Sequence, residues 1–120
     1  MPTVLVVDNN RAVADSFAVL LRGFGYEVHV AYNGAAAITA AERVEPHAVV
    51  TEVALPELDG IQLARRLRQR FGRRIRLVAC TAYHDVKTRM RAYAAGFDRV
   101  FIKPVTVEEV LGAHEDVGES

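Results

Sequence analysis

There is a single cysteine in the 120-residue chain and no tryptophan. One thiol, Cys80, excludes an internal disulfide framework. It follows Leu77, Val78 and Ala79 in an apolar run, so it reads as a small buried hydrophobe and not as a redox group. Net charge is missing as well: 15 Lys and Arg balance 15 Asp and Glu, leaving no global field to favour nucleic acid or an anionic membrane. No apolar run approaches the roughly 18 residues of a membrane span. Met1-Pro2-Thr3 runs straight into a strand-like segment without a signal peptide, so a cytoplasmic protein is expected. The four histidines, His29, His47, His84 and His114, lack metal-ligand spacing, which argues against zinc. No linker, repeat or low-complexity stretch interrupts the chain. The expectation is one domain over residues 1–120, with a polar end at about 115–120 that frays.

What is present is an alternation. Short Val-rich runs fall at about 3–7, 26–31, 47–52, 75–80 and 98–102, with little polar alternation, as parallel strands covered on both faces require. Helical patterns lie between them at about 10–22, 33–43, 58–71 and 84–95, with a last one at about 106–115. Val13, Phe17, Leu20 and Leu21 are assigned to the inward face of the first helix, and Leu63, Leu67 and Phe71 to that of the third. Thr106-Val107-Glu108-Glu109 reads as a capping box, with Val107, Val110, Leu111 and Val117 as the apolar stripe behind it. Gly23-Phe24-Gly25 and Ala95-Gly96 are helix stops, and Asp59-Gly60 caps the third helix. Five strands alternating with five helices predict an α/β doubly wound five-stranded parallel sheet with right-handed crossovers.

On that scaffold the polar residues converge at strand ends, where open α/β sheets hold ligands. Asp8-Asn9 follows the first strand, Glu52 closes the third, Thr81 ends the fourth, and Lys103-Pro104 follows the fifth. In order along the chain, the stretches Val4-Leu5-Val6-Val7-Asp8-Asn9-Asn10-Arg11, Leu55-Pro56-Glu57-Leu58-Asp59-Gly60, Cys80-Thr81-Ala82, Ala95-Gly96-Phe97-Asp98 and Ile102-Lys103-Pro104 resemble the receiver domain of two-component phosphorelay response regulators. The resemblance covers essentially the whole chain. It implies a flavodoxin-like strand order 2-1-3-4-5 flanked by five helices, and a cis bond between Lys103 and Pro104. It also implies a pocket in which an acidic residue in the place of Glu52 is phosphorylated by a phosphohistidine. Asp8 and Asn9 stand where a pair of acids holds Mg²⁺, with Glu52 and the Ala54 backbone completing the metal set. Thr81 and Lys103 stand where a hydroxyl and an ammonium contact the phosphoryl group.

Two positions depart from that pattern. Glu52 stands in the place of an aspartate, and its extra methylene carries the carboxylate roughly 1.5 Å further; errors of about 1 Å cost in-line chemistry on the order of 100-fold. Asn9 stands in the place of a metal-binding acid. With Asp8, Glu52 and Lys103 the pocket carries about −1 where three acids and the lysine would carry about −2, so Mg²⁺ is expected to bind weakly if at all. The expected protein is therefore a degenerate receiver that is not an enzyme and needs no cofactor. It works by protein–protein contact, with Glu52 either pairing Lys103 or imitating a phosphorylated aspartate by bonding Thr81 and Lys103. Slow Mg²⁺-dependent phosphorylation is the alternative within the family. A flavodoxin-like cofactor binder is the alternative outside it, disfavoured because Asp8-Asn9-Asn10-Arg11 is poor chemistry for a phosphate loop. A small hydrolase would need a base beside Cys80 or Thr81, and none is evident.

The implied partners are a histidine kinase, a phosphotransfer protein or an output protein, with neither nucleic acid nor membrane bound directly. The face of helix 4, strand 5 and helix 5 is available to output or to a homodimer. Val100 stands where the family often has a mobile aromatic, and a β-branched residue has no ring to swing. Phe101 should pack on the opposite face from Val100. Ala54 and Tyr83 are placed at the pocket mouth. Arg65, Arg66, Arg68, Arg70, Arg73, Arg74 and Arg76 form a cluster expected to face water for the most part, with a docking patch for an acidic partner as the other reading.

Overall fold

Asparagine and aspartate side chains start four of the helices. Asn10, Asn33, Asp59 and Asp85 each accept the backbone amide three residues on, from Val13, Ala36, Gln62 and Thr88. The computed structural model describes residues 2–83 and 85–112. Its elements run β1 (Thr3–Val7), α1 (Arg11–Gly23), β2 (Glu27–Ala31), α2 (Gly34–Val44), β3 (Ala48–Glu52), α3 (Gly60–Phe71) with a 3₁₀ turn at Gly72–Arg74, β4 (Arg76–Thr81), α4 (Val86–Ala95) and β5 (Arg99–Ile102). A fifth helix, α5, begins at residue 107 and is followed to residue 112. The capping box at its start is present: Thr106 Oγ1 accepts the Glu109 amide, and the Glu109 carboxylate accepts the Thr106 amide. The expected end of that helix, the polar end at about 115–120, His84 and His114 lie outside the described residues.

The sheet is fully parallel in the order β2-β1-β3-β4-β5, as the resemblance implies. The strands are about as long as read and begin up to one residue later. The helices also begin one or two residues later than read, because the capping residue has an extended backbone and stands outside the helix; Asn10 has φ −85 and ψ 103. Side chains alternate across the sheet. Leu5, Val7, Val49, Leu77 and Ala79 face α2, α3 and α4, whereas Val4, Val6, Val50, Val78 and Cys80 face α1 and α5. Val100 packs with the first group and Phe101 with the second.

Two expectations need correction. The inward line of α1 is Ala14, Ala18 and Leu21, with Phe17 half-buried, whereas Val13 is 44% and Leu20 54% exposed. The valines of β1 and β3 leave room for methyl groups beneath the helix, so it approaches through alanine. Its larger apolar stripe is then turned to one side. The arginine cluster, in turn, is not uniformly solvated. Arg68 donates to the carbonyls of Gly72, Ile75 and Gly96 at 2.7, 2.7 and 2.9 Å and to Asp98 at 2.6 Å. Arg76 joins the same carboxylate at 3.5 Å. Arg68 turns inward because it satisfies carbonyls at the end of α3 and in the turn after α4, and Arg76 because it shares the Asp98 carboxylate.

Glycine is required at the start of α3. A Cβ on Gly60 would lie 2.6 Å from the Glu52 carbonyl oxygen and 2.7 Å from the Val53 Cα. The helix thus abuts the backbone that carries Glu52. Its capping box, Asp59 with Gln62, holds that approach.

Candidate functional site

Parallel register brings the strand ends to one rim. Val7 pairs with Thr51, Glu52 with Cys80 and Thr81 with Ile102, so Asp8, Glu52, Thr81 and Lys103 emerge side by side. The loop after β5 is tied back by the Lys103 amide on the Thr81 carbonyl at 2.8 Å, and the Lys103–Pro104 peptide is cis.

The charged groups form a closed set. Lys103 Nζ lies 2.7 Å from Glu52 Oε1 and 3.1 Å from Asp8 Oδ2. Glu52 Oε2 accepts the Ala54 amide at 2.9 Å, and Asp8 Oδ1 accepts the Asn10 amide at 2.9 Å. Every oxygen of the two carboxylates therefore has a donor. Asp8 and Glu52 are buried, at 6% and 9% exposure. Partial burial of Lys103 works to lower its pKa, but the hydrogen bonds it donates to Glu52 and then to Asp8 outweigh it and leave the ammonium above its usual value. Thr81 is fully buried, and its hydroxyl oxygen accepts the Tyr83 amide at 3.1 Å. No hydrogen bond joins Thr81 to Glu52 among the described residues; the contacts of the Glu52 carboxylate are to Lys103 and to the Ala54 amide. Cys80 sits behind this rim, where burial pushes its thiol up to about 12, consistent with an inert strand cysteine.

Asn9, Ala54 and Tyr83 line a separate surface cleft together with Asp59 and Arg91. Asn9 is exposed there, and Tyr83 is 58% exposed, so its ring does not seal the rim. Val100 belongs to the core on the α4 side of the sheet and offers no mobile ring.

This donor set fits Mg²⁺ poorly. The two carboxylates that could ligate it are already bridged by one ammonium, and the third position holds a neutral, exposed amide. Among the described residues no group of three or more His, Cys, Asp and Glu is arranged to hold a metal.

A doubly wound parallel sheet in this order, with acid, hydroxyl and lysine at its C-terminal rim, belongs to the signalling class of flavodoxin-like domains and not to the phosphate-loop class. Residues 4–115 match the response regulator receiver domain family, and the chain belongs to it. The response regulator MprA of Mycobacterium sp. (strain KMS) is 37% identical over 108 residues, covering 90% of this chain and 46% of that protein; the chain thus spans about half the length of the curated relatives it matches. A putative response regulator from Chloroflexus aurantiacus superposes over the whole of both chains with a TM-score of 0.89 at 30% identity. A response regulator from Burkholderia pseudomallei, solved with a phosphorylated aspartic acid, has a TM-score of 0.88 at 26% identity, covering 99% of this chain and 72% of that one.

Several groups at the site escape a reading by residue type. The Ala54 and Asn10 amides that hold Glu52 and Asp8 are backbone donors, invisible in side-chain chemistry. The clash that fixes Gly60 depends on where α3 meets β3. Phe17, Ala14 and Val105 line a cavity of about 490 Å³ that opens against Lys103, and only the α1 periodicity hinted at it.

Proposed function

We propose that this receiver domain works without phosphorylation, as a protein-interaction module whose pocket is held by a permanent Glu52–Lys103 pair. As a member of its family it serves two-component signalling, which joins kinases to output proteins. The observation that carries the finer reading is the saturation of Glu52: Oε1 on the Lys103 ammonium at 2.7 Å and Oε2 on the Ala54 amide at 2.9 Å. A carboxylate nucleophile must present a free oxygen in line with the phosphoryl group, and here both oxygens are engaged. The same two contacts give Glu52 part of what a phosphorylated side chain would have, a cation and a backbone donor. It has fewer acceptor oxygens and less charge, and Thr81 remains turned to Tyr83. The pocket therefore serves as fixed architecture, with Mg²⁺ bound weakly and no catalytic turnover.

The partners on this reading are a histidine kinase, a phosphotransfer protein or an output protein. The exposed Val86, Met90, Tyr93 and Ile102 of α4 and β5 supply an apolar surface suited to output or to a homodimer. No helix among the described residues is long and apolar enough to cross a membrane. Intact-mass analysis after incubation with Mg²⁺ and acetyl phosphate tests the proposal. The mass of the natural sequence should not change; a stable phosphoryl adduct mapped to Glu52 would overturn it.

A further inference from the structure

The signalling pocket makes no use of the arginine run that leads from α3 into β4. Residues 60–76 hold seven arginines and no acid, although the whole chain is neutral. Arg68 and Arg76 turn onto Asp98, which leaves Arg65, Arg66, Arg70, Arg73 and Arg74 exposed. Acidic compensation around these five is slight. Arg65 and Arg66 have no hydrogen bond or ion pair among the described residues. Arg70 reaches Glu42 only at 3.7 Å, with side chains 60% and 50% exposed, a pairing that contributes little. Arg73 lies 3.9 Å from the Asp98 carboxylate that Arg68 and Arg76 already share. Arg74 donates to the carbonyls of Phe71 and Arg70, which does not cancel its charge.

A cleft of about 460 Å³ opens between α2 and α3 beside these groups. Leu67, Phe71 and the half-buried Ile38 give it an apolar lining, and Arg66, Arg70 and Glu42 a charged edge. Arg66 and Arg70 stand one helical turn apart, about 6 Å along the axis, which is the spacing of glutamates at i and i+4 on a second helix. A guanidinium fork can take a carboxylate through two parallel hydrogen bonds. Nucleic acid would meet the same charge but would leave the apolar cleft unused. The ring against which Arg70 and Arg74 lie, Phe71, is buried and offers no face to a base.

We propose that the α2–α3 cleft docks an acidic amphipathic helix of a partner protein. An apolar side chain sits on Ile38, Leu67 and Phe71, and carboxylates one turn apart pair with Arg66 and Arg70. An arriving carboxylate displaces Glu42 from Arg70 at little cost, because that pair is exposed. Gly60 abuts the backbone of Glu52, and Arg70 follows about 15 Å further along α3. The surface therefore stands whether or not Glu52 can be phosphorylated.

The probe is a helical peptide of about 15 residues with glutamates at i and i+4 and a leucine at i+3, titrated into the full chain at low salt and followed by backbone amide NMR. It should bind saturably, with a Kd of roughly 100 μM or tighter, and shift the amides of Ile38, Glu42, Arg66 and Arg70. Replacing its glutamates by glutamine, or its leucine by serine, should weaken binding at least about tenfold in each case. Arg66→Glu/Arg70→Glu changes two exposed side chains. That variant should lose the acidic peptide and bind the same peptide with lysines for glutamates about as tightly, an exchange that unfolding does not mimic. A single-stranded oligonucleotide of about 12 nucleotides should bind the natural protein at least about tenfold more weakly than the acidic peptide. Absence of saturable binding, shifts confined to another face, or binding indifferent to the peptide's charge or leucine would overturn the proposal. So would a reversed variant that keeps the acidic peptide or ignores the basic one, or an oligonucleotide that binds more tightly than the peptide.

Discussion

Lys103→Met removes the cation that both pocket acids share. Taking away one partner of a buried ion pair costs about 3–5 kcal/mol, because the other charge is left uncompensated. Here the lysine side chain is 30% exposed while those of Asp8 and Glu52 are 8% and 10% exposed, so water screens part of the loss and the expected cost falls to about 2–3 kcal/mol. For a domain of this size each kcal/mol moves Tm by about 3–5 °C, which puts the variant roughly 6–15 °C below the natural protein at pH 7.5. Thermal melts at pH 7.5 against the natural protein measure the effect. A Tm at pH 7.5 within a degree of the natural protein's would refute the view that Lys103 neutralises two buried acids.

Arg68→Ala should cost about 3 kcal/mol in urea unfolding, because it strips donors from three carbonyls and from Asp98 at once. Gly60→Ala, ordinarily favourable in a helix by up to about 1 kcal/mol, should instead destabilise by about 1–3 kcal/mol. Its new methyl would meet the Glu52 carbonyl at 2.6 Å, and the Ala54 amide resonance should shift with it. Because the Lys103 pKa is raised on folding, its pairing contributes fully at neutral pH and is lost only as pH climbs beyond the ordinary lysine value of about 10.4. Stability curves of the natural protein and Lys103→Met should therefore converge above that pH, and a convergence already at pH 8 would contradict the assignment.

Much of this could be read from residue order because α/β chains write their plan locally. Short Val-rich runs, Asn or Asp ahead of four helices, Thr106 ahead of the fifth and Gly96 after α4 mark the elements, and the polar residues at strand ends fall together once the strands are parallel. What could not be read depends on approach and rotation. Val13 and Leu20 carry the helical period of a buried face, yet alanines 14 and 18 take the core because β1 and β3 present bulky valines. Arg68 looks like one more charge on a solvated helix until Gly72, Ile75, Gly96 and Asp98, distant or near in sequence, converge on its guanidinium. The pairing of Glu52 with Lys103 was legible as a need for compensation. The Ala54 amide that completes it, and the Tyr83 amide that occupies Thr81, belong to loop backbone conformation, which side-chain chemistry does not encode.

The most direct measurement sets the natural protein beside Asn9→Asp/Glu52→Asp under Mg²⁺ and acetyl phosphate, with intact mass and peptide mapping as the readout. The double variant restores the shorter nucleophile and the missing metal acid together. The account predicts no adduct on the natural chain and a phosphoryl group at position 52 of the double variant. Labelling of the natural chain at Glu52, at a rate equal to or above that of the double variant, would contradict it.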